Sequence, residues 1–471
     1  MTSKSLINNL SLIDWSVFFL ILALTFISVL YGQTFKKKEL SEEDSLLELL
    51  IMGRRLTLPL FVGTLVATWY GGIFGVTQIA FEKGIYNFVT QGLFWYIAYI
   101  IFAFFIVDKV SSFNALTLPD LIGRLFGPRG GKLSAFFNFF NVLPIAYVIS
   151  LGLFLQILFG GDLWVMMSLG IVVVLLYSLW GGLRAVVFSD LIQFFVMCTA
   201  VFLIVAFSFF KFGGLGFLQE KLPASYFTLT GGESWGTTLV WGFIALSTLV
   251  DPNFYQRCFA TESPKVAKKG ILISTFIWFC FDLCTTFGAM YAKAVMPDAD
   301  SGQAYLLYGM SILPEGIRGF VLAGILATIL STLDSYLFLA GTTVSYDLLP
   351  VRFRTKKWAH YLGVIGVGIL SIFMAVFFKG NIKAVWKTLG SYSAACLLLP
   401  VLYAYVFPNK IKDNQFVFGC LLGVVMVTYW RNWPPAGFLG SIDEFYMGLL
   451  ATTLGLLFYP ILEKGRGHNV G

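Results

Sequence analysis

Four hydroxyls, Thr328, Ser331, Thr332 and Ser335, stand at i, i+3, i+4 and i+7 in the otherwise apolar run 324–337, with Asp334 beside them. At helical spacing they form one polar stripe. A hard cation such as sodium takes oxygen ligands, and hydroxyls with freed backbone carbonyls can replace its water shell at little added charge. Serine and threonine in a membrane helix also bond the carbonyl one turn back or join two helices. Four on one face beside a carboxylate favour the ion site over that plainer role.

A second constellation lies in YSLWGGLRAVVFSDLIQ, residues 177–193, where a Gly-Gly turn and Arg184 mark a membrane surface and Asp190 with Gln193 enters the next apolar run. A carboxylate in lipid is costly unless paired or solvated, so Asp190 is either functional or capped near the interface. Asp282, in FCFDLCTT, is another intramembrane carboxylate, and facing a water-filled cavity would suit it. Lys387, near the start of a late span, reads as a side chain snorkelling to the outer surface. Cys280 and Cys284 share a helix face but have no third or fourth soft ligand with them, so a metal site there is not expected. His360 and His468 fall in segments read as cytoplasmic, which argues against a histidine proton relay.

These residues need elements that hold them in a bilayer. The chain has 471 residues, 58% hydrophobic and 12% charged, with a mean hydropathy of +0.82, outside the range of soluble domains. It reads as an all-α integral membrane protein with about 13 transmembrane helices, each needing about 20 apolar residues. The first apolar run is too long for a signal-peptide core and lacks a small-residue cleavage site, so it is expected to be a retained helix. No loop is long enough to bury a core, which argues against a fused enzyme or receptor domain. Most Lys and Arg residues, among them Lys36, Lys37, Lys38, Arg184, Arg257, Lys268 and Lys269, fall on the cytoplasmic side if the N-terminus is outside and the C-terminus inside. Topology therefore explains the net charge of +7 without a nucleic-acid partner. Two spans are interrupted, LVATWYGGIFG (65–75) by glycines and ALSTLVDPNFYQR (245–257) by Asp251-Pro252. Matched breaks are how transporters expose backbone dipoles to their cargo, although each alone is equally a packing kink. The breaks divide the chain into a first helix and cytoplasmic loop (1–56), a five-helix repeat (57–211), a second with its leading extracellular loop (212–407), and two C-terminal helices with a tail (408–471).

In their order and spacing, LVATWYGG, YSLWGGLRAVVFSD-LIQ, FYQRCFA and LATILSTLDSYL resemble the sodium/solute symporter family, from about residue 12 to at least 410. The resemblance implies a LeuT-type five-plus-five inverted repeat with one extra helix before it and two after. It implies a sodium ion held by the carbonyls of Ala67, Tyr70 and Thr328 and the hydroxyls of Ser331 and Thr332. Some members hold a second sodium, which here would involve Asp190, Ser331, Asp334 and Ser335; Asp334 stands where those relatives carry a serine. Solute is expected beside Thr68, Trp69, Gln78, Ser247 and Thr248, with Asn141 or Tyr392 nearby. Trp69 replaces the asparagine of the family's sugar carriers and the aspartate of its proline carriers. ATWxGG is similar to choline transporters, and a tryptophan face binds quaternary amines. Their second tryptophan is nevertheless missing, with Asp251-Pro252 in its place, and Trp69 could equally be packing.

The expected activity is plasma-membrane uptake of a small organic solute by sodium symport, with a monomer as the functional unit. A proton-coupled carrier using Asp190 and Asp334 is the alternative, and a channel or receptor is a weaker one. The chain shows no nucleophile with a base and no metal cluster, so it is not expected to be an enzyme.

Overall fold

The computed structural model describes residues 6, 10–35, 42–178, 182–354, 356–436 and 442–467. Gly181 of the expected Gly-Gly turn, Lys36, Lys37, Lys38 and His468 lie outside them. Among the described residues, seven helices are long and apolar enough to cross a bilayer: Leu12–Thr34, Phe88–Ser112, Pro128–Phe159, Gly182–Phe212, Pro264–Val295, Ile317–Leu348 and Lys357–Phe377. An eighth is the bent pair Ile382–Ser393 and Ala395–Val406. Helix also covers the other apolar windows, through Leu58–Ala67 with Ile73–Lys83, Leu163–Ser178, Trp235–Ala245 with Pro252–Ala260, Asp413–Asn432 and Glu444–Gly467. The chain is an all-helical, multi-pass membrane protein.

Both expected breaks are present, and each has a local cause. In the first broken helix, Leu58–Ala67 gives way at Thr68 and helix resumes at Ile73–Lys83. The gap contains Gly71, where a Cβ would lie 2.5 Å from Thr332 Cβ and 2.7 Å from Tyr147 Cδ1. Only glycine lets the unwound backbone pass this close to the helix that carries the hydroxyl stripe. In the second broken helix, Trp235–Ala245 tightens into the 3-10 turn Leu246–Val250 and halts at extended Asp251 (φ −81°, ψ 122°) before Pro252–Ala260. Pro252 cannot donate a backbone bond and biases the preceding residue away from helix, while its fixed φ suits the first turn of the next one. Asp251 caps that turn, accepting from the N–H groups of Asn253 at 2.8 Å and Phe254 at 3.2 Å. An isolated bridge between Leu56 and Thr261 fastens the start of the first broken helix to the end of the second, with Leu56 N–H donating to the Ala260 carbonyl at 2.9 Å.

A further interruption falls inside the span Pro128–Phe159. Pro128–Asn141 ends before Pro144, and Ile145–Phe159 begins after it.

The Ser-Thr helix, Ile317–Leu348, is buried along most of its length and packs on Gly182–Phe212, Leu12–Thr34 and Lys357–Phe377. Leu12–Thr34 turns Phe19, Leu20, Phe26 and Ile27 outward, as a lipid-facing helix does. His360 lies in the first turn of the next helix after the stripe, Lys357–Phe377, and is buried against Phe338.

Outside the spans, the short helix Glu42–Ile51 is clamped to the base of Gly182–Phe212. Glu48 accepts from Arg184 Nε at 2.6 Å and from Arg55 Nη2 at 2.7 Å. Burial pushes the Glu48 carboxyl up, but hydrogen bonds from Arg184 and Arg55, with their charges, outweigh it and hold the group below its ordinary value.

Candidate functional site

The hydroxyl stripe faces the end of the first half-helix. Ser331 Oγ donates to the Ala67 carbonyl at 2.7 Å, and is also 2.7 Å from the Ala327 carbonyl and 3.3 Å from that of Thr328. Thr332 Oγ1 lies 3.1 Å from the Thr328 carbonyl and 3.5 Å from that of Ala67. Four neutral oxygens, two of them carbonyls and two of them hydroxyls, therefore converge where the first broken helix meets the Ser-Thr helix. Ala67, Thr328, Ser331 and Thr332 are all buried. Such a donor set suits a monovalent hard cation, which gains ligands without taking on buried negative charge.

One turn further along, Ser335 belongs to a different cluster. Asp190 Oδ2 accepts from Thr64 Oγ1 at 2.5 Å and lies 3.4 Å from Thr68 Oγ1, which is 3.2 Å from Ser335 Oγ. Into this group comes Arg257 from the second broken helix. Its Nη2 donates to Thr68 Oγ1 at 2.6 Å, Ser335 Oγ at 2.9 Å and Thr64 Oγ1 at 3.1 Å, and stands 3.9 Å from Asp190 Oδ2. Its Nη1 donates to Asn253 Oδ1 at 2.7 Å. Arg257 is 1% exposed and Asp190 fully buried, so the guanidinium is a fixed charge inside the protein. The sequence had placed it in a cytoplasmic segment. Asp334 is buried on the same helix as Ser335.

Between the two breaks is a cavity of about 140 Å³, lined by residues that include Trp69, Tyr70, Trp95, Asn141, Tyr147, Trp241, Ser247, Asp251, Tyr336 and Trp386. Trp69 meets Trp95 edge to face at 5.4 Å between ring centres. Beside the cavity, the hydroxyls of Tyr70 and Tyr96 both donate to the buried Asp282 carboxylate, joining the unwound stretch to Pro264–Val295.

Of the residues expected around solute, Trp69, Ser247 and Asn141 line this cavity. Thr68 belongs instead to the Asp190 and Arg257 cluster. Thr248 is buried away from the cavity lining, and Gln78 reaches outward to Glu82 at 2.9 Å and Ser301 at 3.1 Å. Tyr392 pairs with Thr428 at 2.9 Å.

A family model described as the sodium:solute symporter family matches residues 50–423. The chain belongs to that family. Among curated relatives of this symporter, the high-affinity proline transporter PutP of Bacillus subtilis is 25% identical over 388 residues, covering 76% of this chain and 79% of the relative. Sodium/glucose cotransporter 2 of Rattus norvegicus is 22% identical, covering 71% of this chain but only 58% of its own length. Among solved structures, a Na+-coupled sialic acid symporter in a substrate-bound outward-open state superposes with a TM-score of 0.77 at 18% identity, covering 96% of this chain and 98% of that one. Mhp1 in its inward-facing conformation gives 0.50 at 13% identity, covering 86% and 91%. At these identities the superpositions speak for the fold alone, the LeuT-type inverted repeat. The relatives are transporters, and the chain is a sodium:solute symporter rather than an enzyme.

The roles of three residues in the symporter's site escaped the sequence reading. Arg257 answers the need of a buried carboxylate for a counter-cation, and Asn253 one turn before it already marked its helix face. Asp251 was seen as a helix break and not as a cavity wall. Asp282 was noticed, but its two tyrosine partners are far away in sequence and no spacing rule connects them.

Proposed function

We propose that a single sodium ion binds at the carbonyls of Ala67, Tyr70 and Thr328 and the hydroxyls of Ser331 and Thr332, and that its inward flow drives uptake of a small organic solute through the cavity around Trp69. The observation that carries this reading is the convergence of Ser331 Oγ and Thr332 Oγ1 on the Ala67 carbonyl. A hydroxyl that turns its proton back to its own helix offers a lone pair, so these oxygens can exchange their mutual bond for an ion shared between two elements. Sodium would then tie the first broken helix to the Ser-Thr helix and favour the state that accepts solute. Separation of those elements on the inward side would dismantle the ligand set and release the ion.

The Asp190 group supports one sodium instead of two. Arg257 already directs a cationic nitrogen at Asp190, Thr64, Thr68 and Ser335, the oxygens a second ion would need. We place the carrier in the plasma membrane as a monomer, with its N-terminus outside and its repeats at 57–211 and 212–407.

The test is sodium-gradient uptake in proteoliposomes. Ser331→Ala with Thr332→Ala should abolish sodium-stimulated uptake while the protein remains folded in detergent, and wild-type uptake should depend on sodium with a Hill coefficient of about 1, as one site requires. Unchanged sodium stimulation in the double variant, or uptake driven by a pH gradient without sodium, would overturn the coupling. A Hill coefficient approaching two would overturn the role given to Arg257.

A further inference from the structure

We infer that the solute is a small organic cation, an ammonium compound without a carboxylate, held between Asp251 and an aromatic wall. The inference deepens the symport reading above and rests on it. In carriers with broken helices, half-helix N-termini offer positive dipole ends to anionic groups of the solute. Here the chain fills one of those positions itself. Asp251 caps Pro252–Ala260, with both backbone bonds falling on Oδ1, and it also lines the cavity. A solute carboxylate would have to displace that carboxylate or lie against it.

The other half-helix N-terminus is covered. The Trp386 ring lies so close to Gly72 that any side chain at that position would collide with it. Among the described residues, no lysine, arginine or histidine lines the cavity, and Arg257 sends its terminal nitrogens to Asn253, Thr64, Thr68 and Ser335 instead. An anion therefore meets one carboxylate and no side-chain cation. An ammonium ion meets the opposite arrangement. Trp69, Trp95, Trp241, Trp386, Tyr147 and Tyr336 supply aromatic rings, whose negative faces attract cations, and Asp251 supplies the counter-charge. The size agrees. A volume of about 140 Å³ holds about five waters at roughly 30 Å³ each, room for a small ammonium ion.

The experiment uses the full-length protein with tetramethylammonium, ethylammonium, acetate and glucose as probes, in sodium or in potassium. Thermal shift in detergent reads binding, and currents from proteoliposomes read transport. The ammonium ions should stabilise the protein in sodium and give currents, whereas acetate and glucose should do neither. Asp251→Asn keeps an N-cap acceptor but removes the charge, and should weaken apparent ammonium affinity at least about tenfold. A response to acetate or glucose, no response to either ammonium ion, or an Asp251→Asn variant with wild-type ammonium affinity overturns the inference. The wild-type panel decides even if the variant does not fold. Sodium-induced stabilisation without solute reports the Ser331 and Thr332 site by itself. Its loss would sink the coupling reading, while an ammonium shift in potassium would leave the solute class standing.

Discussion

At Arg257 a single side chain decides how the interior is charged. It is 1% exposed, and its Nη2 stands 3.9 Å from Asp190 Oδ2. Removing one partner of a buried pair leaves an uncompensated charge at a cost of roughly 3–5 kcal/mol. Arg257→Gln and Asp190→Asn should each lower stability by an amount of that order. The double variant should lose less than the two together, by about 0.5–3 kcal/mol, as residues in one network do. Denaturation of all four proteins in detergent measures this, and strict additivity would mean that the ion pair does not couple the two elements. The contrast with Ser331 and Thr332 shows what a sequence can disclose at this scale. Their stripe is local, so helical period alone exposed it. Arg257 depends on where its helix points, and counting basic residues near span ends reports sequence position without direction.

The helix breaks obey the same division. Gly71-Gly72 and Asp251-Pro252 carry their causes in their own residue types, so both are legible from the amino acids alone. The break between Asn141 and Pro144 is not, because proline is tolerated within membrane helices when neighbours satisfy the freed backbone groups. Residue type also leaves open the partner across each gap. Gly71 abuts Thr332 and Tyr147, so Gly71→Ala should push the unwound stretch away from the Ser-Thr helix. Overpacking of this kind costs about 1–3 kcal/mol. If that cost falls on ion binding, apparent sodium affinity drops by about tenfold or more, since each 1.4 kcal/mol is a factor of ten. Gly366→Ala is the control, because a Cβ there meets nothing within 4 Å, and it should leave affinity unchanged. Sodium titration of thermal stability reads both variants. Equal affinity in Gly71→Ala and wild type would show that the close approach does not shape the ion site.

Across the whole molecule, fold class followed from composition and from the paired breaks, because a chain this apolar must satisfy its backbone within helices. The fastening of loops to the bundle did not follow, since it depends on charges brought together from distant places. Glu48 is the clearest case, holding Glu42–Ile51 to the base of Gly182–Phe212 through Arg184 while it also pairs with nearby Arg55. Its carboxyl sits below the ordinary value of 4.5 in the folded protein. A depressed carboxylate contributes stability that is fully present above the unfolded value and lost as pH falls through the folded one. The clamp should therefore hold at neutral pH and weaken as pH drops below about 4.5. Glu48→Gln leaves Arg184 buried without its anion, and should lower stability at pH 7 by roughly 3 kcal/mol. It should also flatten the acid side of the stability curve, because the titrating group is gone. Melting temperatures of both proteins from pH 7 down to the acid limit of the detergent sample test the two effects together. Parallel acid limbs in wild type and Glu48→Gln would remove Glu48 as the titrating group and leave the clamp a matter of packing alone.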